Sequence, residues 1–185
     1  MKDTAALRSH TPACVLRVDR VESPIGPVTF AVSDAGVCAL ALGEGWERLR
    51  RRVEKAFGLS APGAAARFED DSLPALRRSL EAYFAGRTDA LEDIDVDLRG
   101  TDFQKSVWAA LRTVRPGTTA SYGDIARRID NPKAVRAVGL ANGRNPVSLI
   151  VPCHRVIGAD GSLTGYGFGL ERKRWLLEHE GALLT

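Results

Sequence analysis

A chain of 185 residues holds one ordinary domain or two small ones, and an apolar content of 44% is normal for a globular protein with a hydrophobic core. This composition excludes a disordered or fibrous protein, and the apolar runs are too short to predict a membrane segment. Residues 1–100 carry 14 Lys and Arg against 16 Asp and Glu, whereas residues 101–185 carry 12 against 7. The positive second half fits contact with a polyanion.

The first half of the chain predicts a small antiparallel sheet with helices. Residues 1–12 are polar without periodicity and predict a loose tail. Alternating apolar residues and turn residues predict three strands and an edge strand, and helical periodicity predicts two helices, the second capped by Ser72. The predicted strands are 14–21, 28–33, 37–42 and about 93–99; the predicted helices are 44–57 and 72–84, with a loop at 58–71 between them.

The second half is predicted to be mostly helical, with a domain boundary near residue 100 where the charge balance changes sign. The N-terminal domain would span 1–99 and the C-terminal domain 100–185. Asp102 is a candidate cap for a first helix, and Ser121 with Asp124 forms a capping-box pattern for a second. Asn131 and Pro132 predict the start of a third helix over 133–143, which makes 121–143 a helix-turn-helix. A buried strand at 147–151, a hairpin at 156–163 and a last helix at 170–180 complete the prediction.

The tetrapeptide Pro152-Cys153-His154-Arg155 contains the groups that a nucleophilic cysteine needs. The thiolate attacks rather than the thiol, so a base must take its proton, and His154 can do so through a water molecule. Arg155 adds positive charge, and Pro152 stiffens the approach. A Cys-His pair by itself is more often a buried structural cysteine beside a surface histidine.

The residues around this tetrapeptide resemble the methylated-DNA–protein-cysteine methyltransferases. The likeness is carried by Ile150–Ile157 (IVPCHRVI), Ser121–Gly123 (SYG), Asn131–Gly139 (NPKAVRAVG), Asn145-Pro146, Gly165–Gly167 (GYG) and His179–Gly181 (HEG), with weaker matches at Ser23–Gly26 and Ala82–Phe84. It implies an α+β fold with a ribonuclease H-like N-terminal domain. It also implies stoichiometric, irreversible transfer of an alkyl group from O6-alkylguanine, and possibly from O4-alkylthymine, in DNA to Cys153.

Position by position, the resemblance assigns roles around the alkyl acceptor. Cys153 is activated by His154, which Glu180 orients. Asn145 ties the recognition helix, which is the predicted helix at 133–143, to the active-site segment. Tyr122 stabilises the departing guanine, a role that suits a phenol because the leaving base becomes negative. The pocket residues implied are Ser148, Pro152, Val156, Tyr166 and Gly167. Ser148 replaces a proline of some members and Asn142 an apolar residue, which leaves the tolerated alkyl size open.

The predicted DNA contacts lie on the helix-turn-helix. The resemblance makes Arg136 the side chain that enters the base stack where the flipped nucleotide was, and Lys133, Ala134 and Arg144 accompany it. The helix around Arg136 is made of small residues, which suits close approach to the minor groove and sequence-independent binding. Flipping is required because no enzyme reaches an atom inside the stack. We expect a monomer that can cluster on double-stranded DNA, without contact to a membrane, in the cytoplasm at the nucleoid.

No cofactor and no metal are expected. Some members of the family bind a structural zinc in the N-terminal domain, but only His10, Cys14 and Cys38 are available here, without the paired spacing of a tetrahedral site. Three widely separated cysteines also form no disulfide framework, which fits a reducing compartment.

Three other functions remain open on the sequence. A non-catalytic lesion-binding module would share the helix-turn-helix and the arginine, but Cys153 counts against it. A helix-turn-helix transcription regulator reads the major groove with long polar side chains, which this helix lacks. A cysteine hydrolase normally carries its histidine far from the cysteine in sequence.

Overall fold

A computed structural model describes residues 14–59 and 67–183 of the chain, so the predicted tail at residues 1–12 lies outside the described residues. The first half contains strands β1 (Val15–Val21), β2 (Val28–Ser33), β3 (Gly36–Leu42) and β4 (Arg67–Asp70), and helices α1 (Trp46–Ala56) and α2 (Pro74–Phe84). The second half contains helices α3 (Asp102–Arg112), α4 (Tyr122–Arg128), α5 (Val135–Gly143) and α6 (Leu170–His179), and the short strands β5 (Ala120–Ser121) and β6 (Val156–Ile157). None of the helices in the described ranges is both long and apolar enough to cross a membrane.

The main sheet is mixed, with the strand order β3-β2-β1-β4. The predicted antiparallel meander of β1, β2 and β3 is confirmed, but β4 pairs with β1 in parallel. The prediction of a loop over residues 58–71 was wrong at Arg67–Asp70, where the chain forms that strand. Helix α1 lies between β3 and β4 in the chain and supplies the crossover that a parallel pair requires. The short polar run of β4 lacks the alternation by which a strand is recognised.

The hydrophobic core is continuous between the two halves of the chain. On one face of the sheet, Leu49 and Val53 of α1 pack against the strands. On the other face, Phe30 of β2 and Leu80 of α2 belong to the same buried cluster as Leu111 of α3. The boundary near residue 100 therefore separates two sets of elements that stabilise each other through one core.

Strand β3 attaches the site-bearing segment of the second half to the sheet. The amide of Leu40 donates to the carbonyl of Pro146 at 2.9 Å, and the amide of Ser148 donates to the carbonyl of Leu40 at 3.3 Å. The predicted edge strand at 93–99 is reduced to a single bridge, in which Val96 pairs with Val37. The outer edge of β3 is therefore paired with two short segments, one at Val96 and one at Val147.

Several helix starts differ from the prediction. Thr101 caps α3 through a capping box with Gln104, and Asp102 is the first helical residue. Ser72 does not cap α2, which begins at Pro74; the amide of Leu73 donates instead to the carboxylate of Asp19, 54 residues earlier, at 3.0 Å. A hydrogen bond to a distant strand is invisible in the local sequence.

The helix-turn-helix is present, with one change at its turn. The capping box of Ser121 and Asp124 at the start of α4 is confirmed. Helix α5 begins at Val135 rather than at Lys133, and the amide of Ala134 closes a turn onto the carbonyl of Asn131 at 2.9 Å. The expected Asn-Pro start therefore forms the turn between the helices.

The predicted strand at 147–151 was also wrong. These residues form tight turns in which Leu149 has a φ of 70°, a left-handed conformation outside the extended region of a regular strand. Residues Val156 and Ile157 pair in parallel with Ala120 and Ser121 instead of forming a hairpin. Both segments are short buried connections. Their runs of apolar residues resemble those of buried strands, which is why the sequence predicted strands there.

Candidate active site and DNA-binding face

Cys153 opens a single 3-10 turn, Cys153–Arg155, that directly follows Pro152. The residue is 5% exposed, and its Sγ lies 3.8 Å from the Oγ of Ser148. It lines a cavity between the two halves of the chain. The other polar side chains lining this cavity are those of Arg48, Arg52, Asn142, Asn145, Ser148 and Tyr166.

Asn145 holds the turns that bring Ser148 beside Cys153. Its Nδ2 donates to the carbonyl of Val151 at 2.7 Å, and its Oδ1 accepts from the amide of Val147 at 2.9 Å. Both ends of the five-residue segment 147–151 are thereby fixed by one side chain, which compensates for the absence of regular secondary structure there. The resemblance assigns Asn145 a different role, that of tying the recognition helix to the active-site segment, and that role stays a prediction.

The surroundings of Cys153 act on its pKa in opposite directions. Burial raises the pKa of the thiol above its ordinary value, and this effect is the largest. Hydrogen bonding by Asn145 and Ser148, and the positive charge of Lys173, partly offset the rise. The resting group is therefore a thiol that needs a base before it can attack.

A buried ion-pair network lies next to the cysteine. The Nε2 of His154 lies 3.0 Å from Oε1 of Glu180, and both side chains are fully buried. Arg155 binds the same carboxylate with two donors, Nε to Oε2 at 2.8 Å and Nη2 to Oε1 at 2.9 Å. Its Nη1 donates to the carbonyl of Val114 at 2.6 Å. Arg155 thus neutralises and fixes Glu180, as a bidentate guanidinium does in a buried pair.

The first half of the chain also contributes to this network. The hydroxyl of Tyr83, at the end of α2, donates to Oε1 of Glu180 at 2.7 Å. The Nε2 of His179 lies 2.7 Å from the carbonyl of Tyr83, and the ring of His179 stacks on Trp175 with centroids 4.7 Å apart. Helices α2 and α6 are therefore joined directly at the carboxylate.

The pKa directions define the charge state of the pair. Burial opposes ionisation of Glu180, but His154 and Arg155 outweigh it and hold the pKa of this carboxyl well below its usual range. Burial lowers the pKa of His154, although Glu180 opposes that change. A neutral imidazole that donates from Nε2 to an ionised Glu180 leaves the lone pair of Nδ1 for a proton, and Nδ1 has no hydrogen-bond partner among the described residues.

Lys173 is a fully buried cation behind the cavity. Its Nζ donates to the carbonyl of Val156 at 2.5 Å and to that of Thr164 at 2.6 Å. Burial lowers its pKa to about 8. The lysine connects β6 to the segment that leads into the pocket loop at 165–169, so α6 fixes the position of that loop.

Tyr122 stands between the recognition helix and the pocket loop. It is the first residue of α4 and is half-buried. A Cβ atom built on Gly139 of α5 would lie 3.8 Å from its ring, and one built on Gly165 would lie 3.7 Å from its hydroxyl. Gly165 lines the cavity of Cys153, so the phenol lies at the edge of that cavity.

The residues predicted to contact DNA lie on α5 or directly beside it. Arg136 is exposed on α5, Lys133 and Ala134 precede the helix, and Arg144 follows it. Leu140, on the same helix, is 65% exposed, which is unusual for a large apolar side chain. The face combines small, apolar and cationic side chains.

The structure brings most of the sequence-predicted residues together. Ser148, Tyr166 and Gly167 line the cavity, whereas Pro152 and Val156 are buried outside its lining. The sequence did not indicate the contacts of Tyr83, nor the roles of Lys173, Arg48 and Arg52. For Lys173 a signal existed, because it shares the buried face of α6 with Leu176 and Leu177 at helical spacing.

No group of three or more His, Cys, Asp or Glu residues that could hold a metal occurs within residues 14–59 and 67–183. Cys14 and Cys38 are free thiols, and His10 lies outside the described residues.

A buried cysteine beside a His-Glu pair, next to a helix-turn-helix, defines a DNA-binding protein with a reactive thiol. Residues 16–98 match the family model "6-O-methylguanine DNA methyltransferase, ribonuclease-like domain", and residues 102–182 match "6-O-methylguanine DNA methyltransferase, DNA binding domain". The chain belongs to this family, the methylated-DNA–protein-cysteine methyltransferases.

Individual relatives agree with the family models. The methylated-DNA–protein-cysteine methyltransferase of Methanosarcina acetivorans is 48% identical over 163 residues, which cover 87% of this chain and 96% of that protein. The crystal structure of Mycobacterium tuberculosis OGT in complex with DNA is similar with a TM-score of 0.71 and 44% identity, covering 90% and 92% of the two chains. The crystal structure of the O6-methylguanine-DNA methyltransferase of Pyrococcus kodakaraensis is similar with a TM-score of 0.66 and 27% identity, covering 90% of this chain and 99% of that chain.

Proposed function

We propose that this chain repairs DNA by direct reversal, taking the alkyl group of O6-alkylguanine onto Cys153. The observation that carries the proposal is the position of Cys153 in a cavity, beside the buried pair of His154 and Glu180 and next to the exposed recognition helix. The relatives that this chain matches over most of their length are named methylated-DNA–protein-cysteine methyltransferases. A thiol placed in this way has the base and the access that alkyl transfer needs.

The reaction is a displacement at the alkyl carbon. The thiol proton of Cys153 passes through a water molecule to Nδ1 of His154, and Glu180 stabilises the imidazolium that results. The thiolate forms a bond to the alkyl carbon as the bond from that carbon to O6 of guanine breaks. Tyr122 stabilises the departing base by donating a hydrogen bond or a proton. A thioether has no easy route back to the thiol, so each molecule acts once.

DNA is bound through the minor groove and with little sequence preference. The supporting observation is the exposed face of α5, where small residues and Leu140 surround Arg136. Proteins that insert a side chain into the minor groove bend the duplex and unstack a base step, which opens the way for a flipped nucleotide. Arg136 is the inserted side chain in this proposal.

The protein acts as a monomer that can cluster along DNA, and it works in the cytoplasm at the nucleoid. Support for the monomer is that Cys153, its base and the recognition helix all belong to one chain. Support for a reducing compartment is that Cys14, Cys38 and Cys153 are all free thiols.

Incubation with a duplex oligonucleotide that contains one O6-methylguanine tests the function. We expect Cys153 to gain the mass of one methyl group, up to one equivalent of lesion, and the DNA to regain unmodified guanine. Intact-protein and peptide mass spectrometry measure the product. The Cys153→Ser variant is the control and should gain no mass. Absence of methylation in the unaltered protein would overturn the proposal and favour a lesion-binding module.

A further inference from the structure

Two arginines of the first half reach the cavity of Cys153. Arg48 and Arg52 are one turn apart on α1, so both project from the same side of that helix, and both line the cavity. Nη2 of Arg48 donates to the carbonyl of Gly167 in the pocket loop at 2.7 Å. Nη2 of Arg52 donates to the carbonyl of Arg144, directly after the recognition helix. Helix α1 therefore borders the mouth of the cavity on the side of the DNA-binding face.

These arginines form a cationic cluster with Arg144. All three side chains are exposed, and within the described ranges none of them forms an ion pair with a carboxylate. By contrast Arg50, on the same helix, pairs with Glu54 at 3.0 Å. Partial burial at the cavity lowers the pKa of Arg52 most, and the positive charges of Arg48 and Arg144 lower it further, as expected where like charges lie near one another.

The cluster retains unused donors. A guanidinium group has five N–H donors, and the contacts described above use one donor of Arg48 and one of Arg52. Planar arginine donors match the oxygens of a phosphate group. An anion bound between the three groups would relieve their repulsion and occupy the remaining donors.

The position of the cluster indicates which anion. If a flipped base enters the cavity to meet Cys153, its sugar and phosphates stay at the mouth, where Arg48 and Arg52 line the cavity and Arg144 lies next to Arg52. We propose that Arg48, Arg52 and Arg144 bind a DNA backbone phosphate adjacent to the flipped nucleotide, which makes α1 part of the DNA-binding surface. This inference rests on the proposed function, and it extends DNA binding from the helix-turn-helix to the first half of the chain.

The salt dependence of DNA affinity tests the phosphate site. In the full-length Cys153→Ser background, the dissociation constant for a duplex with one O6-methylguanine is measured over a range of salt concentrations. Each phosphate contact contributes about 0.9 to the slope of log affinity against log salt. Because the arginines share one phosphate, we expect the double variant Arg48→Gln/Arg52→Gln to reduce that slope by about 0.9, and each single variant to reduce it by a part of that amount. Arg52→Lys, which keeps the charge, should retain most of it.

Arg51→Gln is the matched control, because Arg51 is exposed on the same helix but does not line the cavity. Equal slopes for the Arg51, Arg48 and Arg52 variants would overturn the phosphate site. With Cys153 intact, the ratio of the methyl-transfer rate on the duplex to that on free O6-methylguanine base should fall about tenfold in Arg52→Gln. An unchanged ratio would also contradict the site.

The two proposals fail in distinguishable ways. If the unaltered protein takes no methyl group from the duplex, the proposed function fails. If it is methylated normally while the variants keep the full salt slope, only the phosphate site fails. The role of Arg48 and Arg52 is then limited to their hydrogen bonds to backbone carbonyls.

Discussion

At the scale of single residues, the buried carboxylate of Glu180 joins three side chains from distant parts of the chain. Its carboxylate accepts from Tyr83 and from Arg155, and it lies within hydrogen-bond distance of His154. Arg155 is itself buried, and among the described residues Glu180 is the carboxylate that pairs with it. Removing one member of a buried pair leaves the other charge uncompensated, which costs more than the pair contributes.

We therefore expect Glu180→Gln to lower the free energy of unfolding by about 3–5 kcal/mol near neutral pH. The pKa of Glu180 is lowered in the folded state, so the unfolded chain takes up a proton first as the pH falls below about 4.5. The stability that the carboxylate contributes is present above that pH and is lost below it. The difference between the variant and the unaltered protein should shrink correspondingly in acid.

Urea denaturation at a series of pH values measures this difference. Glu178→Gln, on the same helix, is the control and should change the free energy of unfolding by less than about 0.5 kcal/mol. A difference that stays constant from pH 7 to pH 3 would show that the Glu180 carboxylate is not held ionised by its partners.

How far the sequence predicts the site depends on the separation of the residues. Cys153 and His154 are adjacent in the chain, so the motif alone places the residue proposed as the base next to the cysteine. Arg155 lies next to them, yet its binding to Glu180, 25 residues later, requires the position of α6. The contact of Tyr83 with Glu180 spans 97 residues and two halves of the chain. No local pattern encodes such a contact.

At the scale of elements, the start of α3 shows a competition between two capping residues. Thr101 and Asp102 are both suitable by type, and the structure selects Thr101, whose Oγ1 accepts from the amide of Gln104 at 3.2 Å. The side chain of Gln104 accepts in return from the amide of Thr101 at 3.0 Å. This reciprocal pair satisfies two donors that the helix itself leaves free.

Thr101→Ala should lower the free energy of unfolding by about 1 kcal/mol, because it removes the cap. Asp102→Ala should cost about 0.3 kcal/mol, since it removes only a charge near the helix N-terminus. Thermal or urea unfolding of the two variants side by side measures the order. The reverse order would mean that Asp102 caps the helix in solution.

Other elements were predictable where the pattern is local. The three antiparallel strands and the capping box of α4 follow from alternation and from Ser121 with Asp124. Strand β4 and the turns at 147–151 did not follow. The former is defined by its pairing with β1, and the latter by the side chain of Asn145. Both depend on partners outside the segment.

At the scale of the whole molecule, the shared core predicts that the two halves unfold together. Leu80 of α2 is fully buried in the same cluster as Phe30 and Leu111. Leu80→Ala should cost about 2–5 kcal/mol. We expect the opening free energies of the amides of Phe30 and Leu111 to fall by the same amount, although Leu111 belongs to the other half.

Native-state hydrogen exchange measures both amides in one experiment. Leu140→Ala serves as the control, because Leu140 is 65% exposed and its loss should leave both opening free energies within about 0.5 kcal/mol. A fall at Phe30 without a fall at Leu111 would show that the halves fold independently.

The shared core also limits how many lesions a population of these molecules can remove. If one molecule is consumed for each alkyl group, the repair capacity equals the number of folded molecules whose Cys153 is still unmodified. A faster reaction cannot replace a missing molecule. The free energy of unfolding of a domain is only about 5–15 kcal/mol, so a destabilising mutation in the sheet lowers the number of folded molecules without altering Cys153. Core mutations such as Leu80→Ala therefore act on the number of folded molecules rather than on the chemistry at Cys153.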